Sequence, residues 1–104
     1  MATVKVCAGV CGFITTINTE SEDMQEVAVN IETDCSYIKA MASELNKVDG
    51  YQECFAQIGV GEVYKLARKY CKHAACPVPS AIIKGIEIAC GLALPRDVEF
   101  KISG

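Results

Sequence analysis

Hydrophobic and polar positions change period several times along the chain, and each change predicts an element. Residues 3–7 (Thr3-Val4-Lys5-Val6-Cys7) alternate and predict a first strand. The two glycines of Ala8-Gly9-Val10-Cys11-Gly12 predict a tight turn after it. Residues 13–19 are β-branched and aromatic and predict a second strand. The acidic run from Glu20 to Glu26 reads as a solvated hairpin connection. Residues 26–32 alternate again, with Val27, Val29 and Ile31 on one face and Glu26, Ala28, Asn30 and Glu32 on the other.

After Thr33-Asp34-Cys35-Ser36 the period becomes helical. Ile38, Met41, Ala42 and Leu45 recur at i, i+3, i+4 and i+7, with Asp34 or Ser36 suited to the cap and Cys35 at or beside the first turn. Residues 49–61, with Gly50, Gly59 and Gly61, read as a loop with room for a short helix near Cys54-Phe55. A second helix is expected over about 62–73, buried through Val63, Leu66, Ala67, Tyr70, Cys71 and Ala74. A third is expected over about 80–92, after the break at Cys76-Pro77-Val78-Pro79-Ser80. Residues 97–103 alternate through Val98, Phe100 and Ile102 and predict a last strand facing the helices. The expected order is β-β-β-α-α-α-β. The fold class is α+β: a two-layer sandwich whose mostly antiparallel four-stranded sheet is covered by three helices.

Composition narrows this picture. The chain of 104 residues suits one domain, and 51% hydrophobic with 22% charged residues is globular rather than disordered. A formal net charge of −3 argues against a general nucleic-acid binder. No apolar run approaches the roughly 18–20 residues of a membrane span. The first residues alternate as a strand instead of forming a basic segment followed by an apolar run, so a cytoplasmic location with reduced thiols is expected. A small secreted disulfide domain is the alternative.

The outlier is cysteine, at 7 residues beside 1 histidine. An odd number cannot pair wholly within the chain. Cys71 and Cys90 fall on apolar helical stripes and read as packing residues. Cys7 and Cys11 are four apart, whereas zinc knuckles and clusters usually leave a two-residue gap, so the pair is a weak metal signal. Cys11, in a glycine-rich turn, lies where backbone amides are free to face a thiolate. Cys35 opens a helix, and Cys76 precedes a proline-marked helix start close to Lys72 and His73, surroundings that favour a thiolate. His73 is a candidate ligand or proton carrier beside Cys76. Cys54 lies in the least regular segment. Lys65, Arg68, Lys69 and Lys72 form a basic stripe that reads as a solvated helix face or as a surface for an acidic protein partner. No P-loop, Ser-His-Asp or His-Glu-x-x-His pattern is present.

The segments Cys7-Ala8-Gly9-Val10-Cys11-Gly12-Phe13, Thr33-Asp34-Cys35-Ser36, His73-Ala74-Ala75-Cys76-Pro77-Val78-Pro79-Ser80 and Gly91-Leu92-Ala93-Leu94-Pro95 resemble a family of short cysteine-containing bacterial and archaeal proteins that forms a domain of unknown function. The layout, a three-strand meander, then Cys35 opening a helix, then His73 and Cys76 before a later helix, also resembles NifU/IscU-type iron–sulfur scaffold proteins. That second resemblance implies thiolate ligands at loop–helix junctions. The chain departs from that pattern in the middle ligand spacing, in the motif around each cysteine and in the strand expected over 98–102 after the helices.

The residues together favour a small protein that binds an iron–sulfur cluster, zinc or Cu(I), acting as carrier, scaffold or accessory factor rather than as an enzyme. Cys11, Cys35 and Cys76 are the expected ligands, with Cys54 or His73 as the fourth. Two rivals remain at this stage: a thiol-redox or persulfide-carrying protein using Cys76 or Cys35, and an interaction domain whose cysteines only pack.

Overall fold

Residues 1–104 are described by a computed structural model. Strands β1 (Ala2–Cys7), β2 (Ile14–Glu20) and β3 (Glu26–Thr33) form the expected meander. A short β4 (Lys47–Asp49) joins the far side of β3, giving an antiparallel sheet in the order β1-β2-β3-β4. The helices are α1 (Ser36–Ala42), α2 (Gly50–Phe55), α3 (Glu62–Tyr70) and α4 (Val78–Ala89). The order is therefore β-β-β-α-β-α-α-α, and the α+β sandwich with a four-stranded antiparallel sheet stands.

Two expectations need correction. The fourth strand is Lys47–Asp49, inside the helical half of the chain, and not residues 97–103. The segment after Pro95 forms no strand, and its Val98, Phe100 and Ile102 are 63%, 77% and 91% exposed instead of facing the helices. Alternation supplies a face, but a strand also needs a paired edge, and the tail has none here. The short segment around Gly50 is a full helical turn and more, because the Asp49 carboxylate accepts the N–H groups of Tyr51 and Gln52 and caps it.

Alternation decides which face of the sheet is covered. Val6 of β1, Ile17 of β2, Val27 and Val29 of β3 and Val48 of β4 are buried beneath the helices, while Thr3, Lys5, Ala28 and Asn30 stand on the bare face. Ile31, also expected on the covered face, is partly buried against the same core. Ile38 and Met41 of α1, Val63 and Leu66 of α3, and Ile82 and Ile86 of α4 close the core from the other layer. Each such fully buried aliphatic side chain contributes about 1.5–3 kcal/mol. Helix α4 crosses β1 and β2, seated by the Thr19 hydroxyl, which donates to the Gly85 carbonyl at 2.7 Å.

The core holds one buried carboxylate. Glu53 of α2 accepts the N–H groups of Glu62 and Val63, both at 2.8 Å. It serves as the cap that α3 lacks locally, because the position before α3 is Gly61 at φ +104°. A side chain there would be strained and would sit 3.1 Å from a Glu53 carboxylate oxygen. No buried side-chain nitrogen or oxygen is left without a partner.

The meander also defines two ends of the molecule. At one end lie the β2–β3 hairpin, the start of β1 (Ala2 opposite Thr19) and Gly50, whose N–H donates to the Gln25 carbonyl. At the other lie the β1–β2 turn (Cys7 opposite Ile14) and the end of β3, where Thr33 lies opposite Thr15. The cysteines divide between these ends.

Candidate thiol centre

Cys35 follows β3 directly and is held by that strand's end. Its N–H donates to the Thr33 hydroxyl at 3.2 Å, and that hydroxyl is hydrogen-bonded to Thr15 at 2.8 Å across the sheet. Cys35 itself, rather than Asp34 or Ser36, occupies the cap position of α1, with extended backbone and no capping bond from its side chain. The thiol is thereby not consumed by the helix end.

Cys71 ends α3. Its N–H completes the helix by donating to Ala67 at 2.8 Å, and its backbone then leaves in an extended conformation. Cys76 closes the turn that follows, its N–H donating to the His73 carbonyl at 3.2 Å. Pro77 caps α4 and Pro79 lies in its first turn, so the chain changes direction just after Cys76.

The Cys71 thiol lies within electrostatic reach of the other two. Burial, first, and then the neighbouring Cys76 and Cys35 thiols and a side-chain contact with Cys76 push the Cys71 thiol up to about 11. All three are partly buried, against the edge of the main core. Three loop–helix junctions therefore converge at one end of the sandwich. No three His, Cys, Asp or Glu side chains stand close enough together to hold a metal ion as they are placed, so the expected Cys11, Cys35 and Cys76 set is not brought together as a ligand sphere.

The expected ligands distribute unevenly around this group. Cys35 and Cys76 belong to it. Cys11 is exposed in the β1–β2 turn, which lies at the same end of the sheet. His73 is exposed in the Cys71–Cys76 connection. Cys54 lies elsewhere: it sits on α2 near Cys90, Glu87 and Glu53, and burial followed by those neighbours pushes its thiol up to about 11. Cys90 is buried at the hairpin end, as its helical stripe implied, close to Gly50. Burial raises its pKa, with Asp23 and Asp49 adding to the effect.

Cys71 is the residue that sequence reasoning assigned to packing. The signal that could have found it is its position at the last turn of α3, five residues before Cys76, where a helical stripe ends at a turn.

The basic stripe is engaged within the molecule at three of its positions. Lys69 pairs with Glu44 at 3.1 Å, Arg68 donates to the Gly59 carbonyl, and Lys72 lies 5.8 Å from the centre of the Tyr37 ring. Lys65 and Arg68 line an open cleft beside Gly59-Val60-Gly61. The N–H groups of α3 that face this region are already held by Glu53, so the helix start offers little to a bound anion. No helix is long and apolar enough to cross a membrane.

Comparison with known proteins gives a match to the Family of unknown function (DUF6951) over residues 2–102, and the chain belongs to that family. No curated protein and no solved structure matches the chain. The layout likeness to NifU/IscU-type scaffold proteins gains no support from these comparisons.

Proposed function

We propose that this member of the DUF6951 family binds a soft metal ion or a small iron–sulfur cluster through a thiolate centre built on Cys35, Cys71 and Cys76, with Cys11 or His73 as the further ligand. The observation that supports this reading is the nearness of Cys35 and Cys76 to Cys71, whose thiol is pushed up by burial first and by those two neighbours after it; the three would have to draw closer around a bound ion. Grouped thiols resist losing their protons because each thiolate repels the next. A bound cation reverses that balance and takes the thiolates it needs, releasing protons. The donor set suits zinc, Cu(I) or iron–sulfur chemistry. Cys35 is set by the Thr15–Thr33 pair and Cys76 by its turn, so two ligands are oriented by backbone. The Cys71–Cys76 connection and the β1–β2 turn are the segments that would adjust around the group.

Anaerobic purification with metal analysis and a visible spectrum tests this. Stoichiometric metal, or cluster absorption, is expected in the native protein and in Cys90→Ser. Loss is expected in Cys76→Ser and Cys71→Ser. Metal binding that survives both of the latter substitutions would end the proposal.

A second reading rests on the Cys71–Cys76 side-chain contact. The pair would form a disulfide, giving two electrons and two protons to an external disulfide oxidant. Titration with oxidised glutathione, followed by thiol counting and mass spectrometry, separates the readings. A metal-free protein that gains one reversible bond between these residues favours the second.

A further inference from the structure

We infer that residues 97–102 form the fifth strand of the sheet of a second copy of this chain, pairing with the open edge of β1. The tail carries a strand's pattern without a strand's pairing. Val98, Phe100 and Ile102 alternate with Asp97, Glu99 and Lys101, and the three apolar side chains are exposed. After Leu92, the backbone bond recorded in this segment is the local one from Arg96 N–H to the Leu94 carbonyl, so the tail is not tied to its own body.

The edge it fits is also open. β1 pairs with β2 on one side and with nothing on the other. An unpaired edge offers a row of amide and carbonyl groups to an incoming strand. The residues match in antiparallel register. With Glu99 set opposite Lys5, Val98 falls opposite Val6, Phe100 opposite Val4 and Ile102 opposite Ala2. All three pairs then lie on the covered face, and Asp97 and Lys101 fall opposite Cys7 and Thr3 on the bare one. The covered face continues into α4, where Ala81, Gly85 and Ile88 share one stripe. Gly85 of that stripe lies over Val4, while Ala81 and Ile88 remain partly exposed. Opposite charges at Glu99 and Lys5 favour this register over a slip by one residue, which would place the apolar side chains on the bare face.

Direction identifies the occupant as a second copy. Helix α4 ends near Gly50, at the end of the sheet where β1 begins. A tail that continues directly from there along its own β1 runs parallel to it. The antiparallel register is open to another molecule, and antiparallel pairing is the more stable. Two chains related by a two-fold axis exchange tails reciprocally and cover both edges.

Sedimentation equilibrium and light scattering on the full chain test this. The expected mass is twice 11.2 kDa at high concentration, falling to 11.2 kDa on dilution. A chain ending at Arg96 is expected to keep its circular dichroism and remain monomeric. Phe100→Asp, at a side chain exposed in the single chain, is expected to weaken association by about tenfold or more. A monomer at every concentration overturns the inference, including one whose tail amides are protected from exchange by its own β1. A dimer unchanged by loss of residues 97–104 overturns it as well, since the contact then lies elsewhere.

Discussion

The two ends of the sandwich use the same residue type in opposite ways. At the hairpin end, Cys90 is sealed in the core and Cys54 shares its surroundings with Glu87 and Glu53. Polar groups there are satisfied by design of the backbone: Asp49 caps α2, Asp23 accepts the N–H groups of Gln25 and Glu26, and Glu53 caps α3. At the other end, Cys35, Cys71 and Cys76 lie partly exposed at junctions, and their common partners are one another. A thiol at the first end is a small apolar filler. A thiol at the second is a donor whose use depends on what joins the group.

Substitution distinguishes the ends most strongly at Glu53. Glu53→Ala is expected to cost about 2–3 kcal/mol, because two helix N–H groups lose a charged acceptor inside the core. Urea unfolding measures this, and metal content should not change. Next is Gly50→Ala. The new Cβ would stand 2.3 Å from the Cys90 sulfur and 3.1 Å from the Gln25 carbonyl, an overpacking cost of about 1–3 kcal/mol. Cys90→Ala in the same chain should recover part of the loss. A double variant no more stable than Gly50→Ala alone would show that backbone, and not the thiol, sets the cost.

At the thiol end the order of effects reverses. Cys71→Ser and Cys76→Ser are expected to change stability by under about 1 kcal/mol, since both sites are partly exposed, yet to remove metal binding. A large loss of stability in either would make that end a core like the other.

The remaining effects are read away from neutral pH. Cys71 and Cys54 hold their protons to about 11 in the folded protein, against an ordinary value of 9.0. Their stabilisation is complete below 9.0 and is lost as pH rises toward 11. Cys71→Ser should flatten part of that alkaline decline. The hairpin end contributes to the acid limb. Backbone N–H groups hold Asp23 and Asp49 below their ordinary 3.8, so their stabilisation is present above 3.8 and is lost as pH falls below it. Asp23→Asn should shrink that limb, read by unfolding midpoints.

What was legible in the sequence was whatever repeats locally. Val27, Val29 and Ile31 announced the buried face of β3, and Ile82 with Ile86 announced that of α4. The strand Lys47–Asp49 was not legible, because three residues are too few to alternate and its pairing partner, Glu26–Ala28, is distant in the chain. The tail erred in the other direction, since alternation reports a face and not the presence of an edge to join. In the candidate site, Cys35 and Cys76 were marked by helix starts and Cys90 by its apolar stripe. Cys71 carried the same mark as Cys90. Only the tertiary meeting of α3's last residue with two other junctions sets it apart.

The cap that Glu53 places on α3 bears on the order in which the chain assembles. Its two bonds join residues only 9 and 10 apart in sequence, so closing that link costs little chain entropy and can happen early. At the thiol end only Cys71 and Cys76 are joined so locally, and Cys35 lies far before them in the chain. Cys35 meets Cys71 and Cys76 only after β4, α2 and α3 have all been laid against the sheet. The thiols of this end, partly exposed even in the folded chain, are therefore expected to react with an alkylating pulse throughout folding, whereas Cys90 ceases to react once α4 is seated beside Gly50.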